Sequence, residues 1–189
     1  MENLTADTKH LTLEQLEAGL ESIRQSPQDE GVLELIVRRP QVLQREMPSK
    51  GVLDQAEGLQ GDNWNARGSA STPDRSSNPA MQITIMNSRA IALIAQEKDR
   101  WQLAGDQLFI DINLSDKNLP AGTRLALGSA ILEVTAIPHT GCKKFAERFG
   151  TDATKFVNSP AGKVLHVRGV NAKIIRGGSI QVGDIARKL

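Results

Sequence analysis

The hydrophobic residues of this chain follow two patterns, one typical of strands and the other typical of helices. Short apolar or alternating segments that predict strands lie at residues 32–37, 82–86, 108–114, 122–128, 130–137, 164–170, 172–175 and 178–184. A further short strand is predicted at Val42 and Leu43. Because glycines punctuate the short strands from Gly122 onward, these strands suit a small closed β-barrel better than a flat open sheet.

Helical spacing occurs in three places. Thr12 and Gln15 have the spacing of a capping box, and the apolar positions that follow predict a helix over residues 12–25. A second helix is predicted to begin at Asn87 and to reach Trp101, and residues 142–159 are predicted to form a helical insertion. The fold class is therefore mostly β with peripheral α-helices. Residues 1–30 are predicted to be a helical segment that packs on a barrel domain of residues 31–189.

Two segments bear on where a site could lie. In the predicted strand at 108–114, Phe109 and Asp111 share one face, and Asn113 lies on the same side. Residues 68–79 are rich in turn formers and lack core residues, which predicts a loop. A loop of this length is either the rim of an active site or a mobile excursion.

Composition excludes several classes of protein. Twenty-three basic and 22 acidic side chains give a net charge of +1, which argues against a general nucleic-acid binder. A single cysteine cannot form an intramolecular disulfide bond, and no apolar run approaches the ~20 residues of a membrane span. The first residues lack the plan of a signal peptide, so the chain is expected to be cytoplasmic. His10, His139 and His166 lack the spacing of zinc ligands.

Cys142 is the residue that most clearly could carry out chemistry. Pro138 ends the strand predicted at 130–137, and Phe145 and Phe149 then have helical spacing, so Cys142 is expected where a strand gives way to a helix. Free amide groups at a helix start can lower the pKa of a thiol and supply a thiolate, as a nucleophile or a soft-metal ligand. The alternative is a small, buried, inert side chain.

Charged and basic side chains surround this thiol in the sequence. His139 could orient or deprotonate the Cys142 thiol, or it could be a surface histidine in a turn. Lys143 and Lys144 are either contacts for an anion or part of a solvated helix face.

Four segments resemble the MOSC domain family, named for the C-terminal domain of molybdenum cofactor sulfurase. They are the Gly-Leu-Gln-Gly-Asp turn at 58–62, the strand pair at 125–134, the Thr-Gly-Cys step at 140–142 and the closing Gly-Gly-Ser-Ile-Gln-Val-Gly-Asp strand at 177–184. Together these matches extend over residues ~32 to 188, which is most of the chain. The resemblance implies a β-barrel in which Cys142 either carries sulfur as a persulfide or ligates the molybdenum of a pterin cofactor.

The resemblance also implies which residues would hold that cofactor. Thr140, Asn113, Asp62, Lys143 and Arg67 stand at or near positions of this kind. Three positions depart from the family pattern. Asp111 replaces an arginine, Asn63 replaces a residue that is basic in some relatives, and Gly141 replaces a proline. The first two departures predict a less basic site for the phosphate of the pterin.

Three functions follow from these observations. The first is a sulfur carrier or sulfurtransferase-like protein whose partner is a sulfur donor such as a cysteine desulfurase. The second is a molybdopterin-dependent reductase of N-hydroxylated compounds, served by an electron donor or acting with another molybdenum-cofactor enzyme. The third is a non-catalytic barrel that binds a small ligand or partner and in which Cys142 is merely packed. The pyridoxal phosphate module of the family's sulfurases has no counterpart in this sequence, so no pyridoxal phosphate site is expected.

Overall fold

The computed structural model describes residues 9–189, which form ten strands, seven α-helices and two 3-10 helices. The strands are Glu30–Ile36 (β1), Lys50–Asp54 (β2), Gly58–Leu59 (β3), Ile83–Asn87 (β4), Leu108–Ile110 (β5), Arg124–Leu127 (β6), Ala130–Val134 (β7), Val170–Arg176 (β8), Gly178–Gln181 (β9) and Ile185–Lys188 (β10). The α-helices are Leu13–Ala18 (α1), Leu20–Arg24 (α2), Trp64–Arg67 (α3), Ser88–Ala95 (α4), Lys143–Phe149 (α5), Thr151–Asn158 (α6) and Pro160–Val164 (α7). The 3-10 helices are Pro79–Met81 and Lys98–Ala104.

Seven strands close into a barrel in the order β1-β10-β6-β7-β8-β4-β5, with β5 returning to β1. Within the barrel β4 and β5 are parallel, and the other neighbouring strands are antiparallel. The remaining strands form a separate sheet in the order β3-β2-β9. The predicted fold class, a mostly β barrel with peripheral helices, is confirmed.

Side chains of β5 separate two hydrophobic cores, as the alternation in the sequence predicts. Leu108 and Ile110 belong to the cluster that fills the barrel. Phe109 points the other way, into a second cluster between the barrel and the helices. The strand is shorter than predicted, because Asp111 and Asn113 lie beyond its last ladder residue.

The N-terminal helices pack against this second cluster. Thr12 caps α1 with the predicted capping box, in which the Thr12 side chain accepts from the Gln15 N–H and the Gln15 side chain accepts from the Thr12 N–H. Leu16 and Ile23 are buried in the second cluster. The single helix predicted over residues 12–25 is divided in two at Gly19. Residues 1–8 of the predicted N-terminal segment lie outside the described residues.

Two predicted strands are wrong. Val42 and Leu43 lie in a turn with most of their surface exposed, and the φ of +67° at Leu43 is incompatible with a ladder. The segment at 164–170 ends α7 and turns through His166 and Gly169, both with positive φ, before β8 begins. The segment at 178–184 does contain a strand, but β9 belongs to the second sheet rather than to the barrel.

The segment at 68–78 contains no helix or strand, in agreement with the predicted loop. Across residues 9–189, none of the helices combines the length and apolar character needed to cross a membrane.

Candidate functional site

Cys142 is exposed and stands at the N-cap of α5, in an extended conformation. The strand before it, β7, ends at Val134, so residues 135–141 connect the barrel to the helix without regular structure. The predicted helix start at Cys142 is therefore confirmed, and the alternative of a buried, packed thiol is wrong.

The backbone just before the thiol is held by Asn158 at the end of α6. The Asn158 Oδ1 accepts from the Gly141 N–H at 3.0 Å, and the Asn158 Nδ2 donates to the Gly141 carbonyl at 3.2 Å. A proline at position 141 would lack the N–H that makes the first bond. This contact gives a physical reason for the departure from the family's proline.

Cys142 lines a cavity of about 300 Å³ whose charged lining residues are predominantly cationic. No Asp or Glu side chain is among its lining residues. Six of the lining residues are cationic: Arg39, Arg45, Arg67, Lys144, Arg148 and Arg168. Gly68, Ser69 and Asn78 of the predicted loop also line the cavity, so this loop forms part of its rim.

Two of the six cations are neutralised by buried carboxylates. The Asp62 side chain, which is fully buried, accepts from Arg39 Nε and from Arg39 Nη2, each at 2.8 Å. The Asp106 side chain, also fully buried, accepts from Arg168 Nη1 at 2.6 Å. Such bidentate or buried ion pairs fix the position of a guanidinium group while leaving part of it free to meet a ligand.

The other four cations, Arg45, Arg67, Lys144 and Arg148, form no ion pair with any carboxylate of residues 9–189. Desolvation, together with the charges of Arg148 and Arg39, lowers the pKa of Arg45 to about 10. Desolvation and the charge of Arg39 also lower the pKa of Arg67. Positive charges that repel one another in this way stabilise a bound anion.

His139 is largely buried and lines the same cavity as Cys142. Its Nε2 lies 2.7 Å from Asp106 Oδ1. Burial and the charge of Arg168 lower the pKa of His139, so its neutral form dominates at neutral pH. In that form Nε2–H donates to Asp106, and Nδ1 is an acceptor with no hydrogen-bond partner among the described residues. The alternative of a surface histidine in a turn is wrong.

The residues predicted from the sequence are only partly brought together. Cys142, His139 and Arg67 line the cavity, whereas Asp62 supports it from behind through Arg39. Thr140 lines a neighbouring cavity of about 360 Å³, which shares His139 and Arg168 with the first.

Lys143 and Asn113 do not line the cysteine cavity, and Lys144 takes the place expected for Lys143. The Asn113 Oδ1 instead accepts from the Ser115 N–H at 2.9 Å. Asp111, the other departure from the family pattern, pairs with Arg89 and is also absent from the cavity lining.

Sequence reasoning missed Arg39, Arg45, Arg148, Arg168 and Asp106. One signal could have identified Arg148, because it lies four residues after Lys144 and so shares a face of α5 with it. The other four are distant from Cys142 in the sequence: Arg39, Arg45 and Arg168 line the cavity, and Asp106 holds Arg168 from behind.

Two other observations bear on the choice of site. A larger cavity of about 630 Å³ lies beside β2 and β9, but no cysteine or histidine lines it. Within residues 9–189, no three His, Cys, Asp or Glu side chains cluster as a metal site would require.

Solved structures with the same fold provide the first comparison. One is the YuaD protein from Bacillus subtilis, with 14% identity and a TM-score of 0.64. The superposition covers 84% of this chain and 95% of YuaD. YiiM from Escherichia coli matches 84% of this chain over 69% of its own length, with 17% identity and a TM-score of 0.54. YiiM from Geobacillus stearothermophilus has 13% identity and the same TM-score, with 75% of its length covered. At these identities the likeness establishes the fold alone.

Sequence comparison is more specific about ancestry. No curated protein matches the chain. The family model described as the MOSC domain matches residues 72–187, which is more than half of the chain and includes β4 to β9 together with Cys142. On this match and the shared barrel, the chain belongs to the MOSC domain family.

Proposed function

We propose that the chain binds the phosphorylated pterin of the molybdenum cofactor, with the Cys142 thiolate as a ligand of the metal. The observation that supports this proposal is the group of four unpaired cations around the cavity that Cys142 lines. A persulfide on Cys142 would carry a single negative charge, whereas a phosphate group carries up to two, which is a better match for a group of four cations.

The residues present fit such a cofactor. Arg45, Arg67, Lys144 and Arg148 would neutralise the phosphate, and arginine is suited to this because its planar group donates two parallel hydrogen bonds. Cys142 would supply a soft sulfur ligand of the kind that molybdenum prefers. The loss of cations predicted from Asp111 and Asn63 is compensated by arginines that lie elsewhere in the sequence.

When bound, the cofactor would supply two-electron redox chemistry, and the activity that the family similarity implies is reduction of N-hydroxylated compounds. The N–O bond would break with uptake of two electrons and two protons, and water would leave. The electrons would come from a separate donor protein. The chain itself would bind the cofactor, keep the phosphate charge neutralised and contribute His139 to the cavity lining.

The test is metal and pterin analysis of the protein purified from a host that makes molybdenum cofactor. We expect near-stoichiometric molybdenum and the fluorescence of an oxidised pterin in the wild type. Loss of the metal is expected in Cys142→Ser, and loss of the pterin in a variant with Arg45 and Arg67 both changed to Gln. Wild-type protein that lacks both metal and pterin would contradict the proposal.

A second candidate function rests on the exposure of the thiol. A persulfide carrier needs a cysteine that a donor protein can reach. The Cys142 thiolate would attack the terminal sulfur of a cysteine desulfurase persulfide, a new S–S bond would form on Cys142, and the donor cysteine would leave as its thiolate. This exchange requires no external oxidant or reductant.

Intact-mass spectrometry separates the two candidates. After incubation with a cysteine desulfurase and free cysteine, a carrier should gain the mass of one sulfur atom on Cys142, and Cys142→Ser should not. If wild-type protein gains no sulfur under conditions in which the desulfurase is active, the carrier function fails.

A further inference from the structure

Two histidines, each bonded to an aspartate, line the same pair of cavities beside the cysteine cavity. His139 Nε2 lies 2.7 Å from Asp106 Oδ1, and His166 Nε2 lies 2.6 Å from Asp116 Oδ1. Both histidines line the neighbouring cavity of about 360 Å³, and both line a further cavity of about 330 Å³. His139 also lines the cavity of Cys142, so it connects the two histidine cavities to the thiol.

The second ring nitrogen of each histidine is available to a ligand. An ionised carboxylate only accepts hydrogen bonds, so Nε2 carries the hydrogen in both pairs, and Nδ1 of a neutral ring is an acceptor. No residue of 9–189 bonds to either Nδ1. The buried side-chain atoms that lack a partner in this part of the chain are five others, so both Nδ1 atoms keep accessible surface.

The stability of the fold does not explain the pair of His166 and Asp116. His166 has a φ of +47°, a left-handed conformation that costs free energy for a residue with a Cβ atom. The Asp116 side chain is 67% exposed, and an exposed pair contributes little to stability. The backbone is nevertheless fixed, because the His166 N–H donates to the Lys163 carbonyl at 3.2 Å and the Gly169 N–H donates to the His166 carbonyl at 2.7 Å. A strained histidine held at a cavity wall indicates a role in binding.

The cavity of about 330 Å³ combines the two histidines with apolar walls. Apart from Asp116, Thr135 and the histidines, every described residue that lines it is apolar. Among the described residues no lysine or arginine lines it, in contrast to the cysteine cavity. Apolar walls favour an apolar group, and acceptor nitrogens favour hydrogen-bond donors. This cavity therefore suits a neutral molecule with an apolar body and a donating head.

We infer that the two histidine cavities form the substrate site, in which an apolar body occupies the 330 Å³ cavity and a head with N–H and O–H donors meets His139 and His166. The inference rests on the proposed function and deepens it, because an N-hydroxylated compound that keeps a hydrogen on nitrogen offers both donors. Since His139 also lines the cysteine cavity, this head lies beside the proposed cofactor site.

Titrations of the purified chain followed by ¹H–¹⁵N NMR test the inference at about pH 8, where an ordinary histidine is neutral. The probes are N-benzylhydroxylamine, which has an apolar body and both donors, benzyl methyl ether, which has the same body without a donor, and hydroxylamine, which has the head without the body. We expect N-benzylhydroxylamine to bind roughly tenfold more tightly than either of the others, because each of them lacks hydrogen bonds or apolar contacts. Its chemical-shift changes should centre on the two histidine cavities.

Variants assign the binding to particular side chains. His166→Asn removes the imidazole but tolerates the positive φ, and it should weaken N-benzylhydroxylamine binding roughly fivefold while leaving benzyl methyl ether unchanged. Ile137→Ser should weaken both benzyl probes and leave hydroxylamine unchanged, because Ile137 is a partly exposed wall of the apolar cavity. His10→Asn is the matched control, since His10 is exposed and lines neither cavity.

Binding of N-benzylhydroxylamine that is no tighter than that of benzyl methyl ether would overturn the inference. So would a loss in His10→Asn as large as that in His166→Asn, or chemical-shift changes confined to the larger cavity beside β2 and β9. Losses confined to His166→Asn and Ile137→Ser support it.

The outcome is distinguishable from that of the cofactor proposal. If the probe binds as expected but protein from a molybdenum-competent host contains neither molybdenum nor pterin, the binding site stands and the cofactor proposal alone fails. If the cofactor is present and the probe does not bind at these cavities, the substrate site alone fails.

Discussion

Gly141 and Asn158 form two reciprocal hydrogen bonds that fix the backbone directly before Cys142. The packing at this point leaves no room for a side chain. A Cβ atom on residue 141 would lie 2.7 Å from Val157 Cγ2. The position of the thiol therefore depends on the absence of a side chain next to it.

Gly141→Ala should destabilise the fold by about 1–3 kcal/mol, because Val157 is buried and must shift to accommodate the new methyl group. Urea unfolding measures the change. Val157→Ala removes the crowding atom, so the double variant should lose less stability than the sum of the single variants. Strict additivity would show that the contact with Val157 is not the cause.

Cys142→Ser should change the free energy of unfolding by less than about 0.5 kcal/mol, because the side chain is exposed. In the wild type, a maleimide should label Cys142 completely without denaturant. Labelling that requires unfolding of the protein would contradict the exposed position of the thiol.

Asp106→Asn should cost about 3–5 kcal/mol at neutral pH, because Arg168 would remain buried without its counter-charge. Asp116→Asn is the control, since Asp116 also pairs with a histidine but is largely exposed. Its change in unfolding free energy should stay below about 1 kcal/mol. Similar losses in the two variants would show that burial of the Asp106 pair is not the cause.

The pH dependence of stability should also report on Asp106. Desolvation opposes ionisation of this carboxylate, but the charges of Arg168 and His139 and the hydrogen bonds from both side chains together outweigh it and lower the pKa of Asp106 to about 2 from an ordinary value of 3.8. The stabilisation is complete above about pH 4 and is lost as the pH falls toward about 2, with a total of roughly 2 kcal/mol. Between about pH 2 and pH 4, the free energy of unfolding should depend less steeply on pH in Asp106→Asn than in the wild type.

Inorganic phosphate should raise the melting temperature of the wild type, because ligands that bind only the folded state stabilise it. Arg67→Gln should weaken phosphate affinity roughly tenfold, as expected for loss of a charge-assisted hydrogen bond. Arg124→Gln is the control, because Arg124 pairs with Glu133 on the barrel, away from the cavity. Equal phosphate affinity in the two variants would exclude a direct role for Arg67.

The barrel could be predicted because most of its strands show a recognisable pattern of hydrophobic residues in the sequence. In β5 the alternation of Leu108, Phe109 and Ile110 between two cores is the same in the sequence and in the structure. The apolar run at 164–170 has an equally strong strand signal, yet it ends a helix. Backbone angles at His166 and Gly169 decide the outcome there, and a hydrophobic pattern does not report them.

The site was harder to predict than the fold. Cys142 and His139 could be identified because they are rare residue types in a short segment. The cations could not, because a net charge of +1 conceals how the charges are distributed. Arg39 and Arg168 are separated by most of the chain and meet at one cavity only because the strands between them close into a barrel.

The family match begins at residue 72, but Arg45 and Arg67 precede it, whereas Cys142 and the other two unpaired cations lie within it. The thiol and part of the charge that would accompany its ligand are thus encoded in different parts of the gene. Substitutions at Arg45 or Arg67 therefore change the charge of the cavity without altering the cysteine loop.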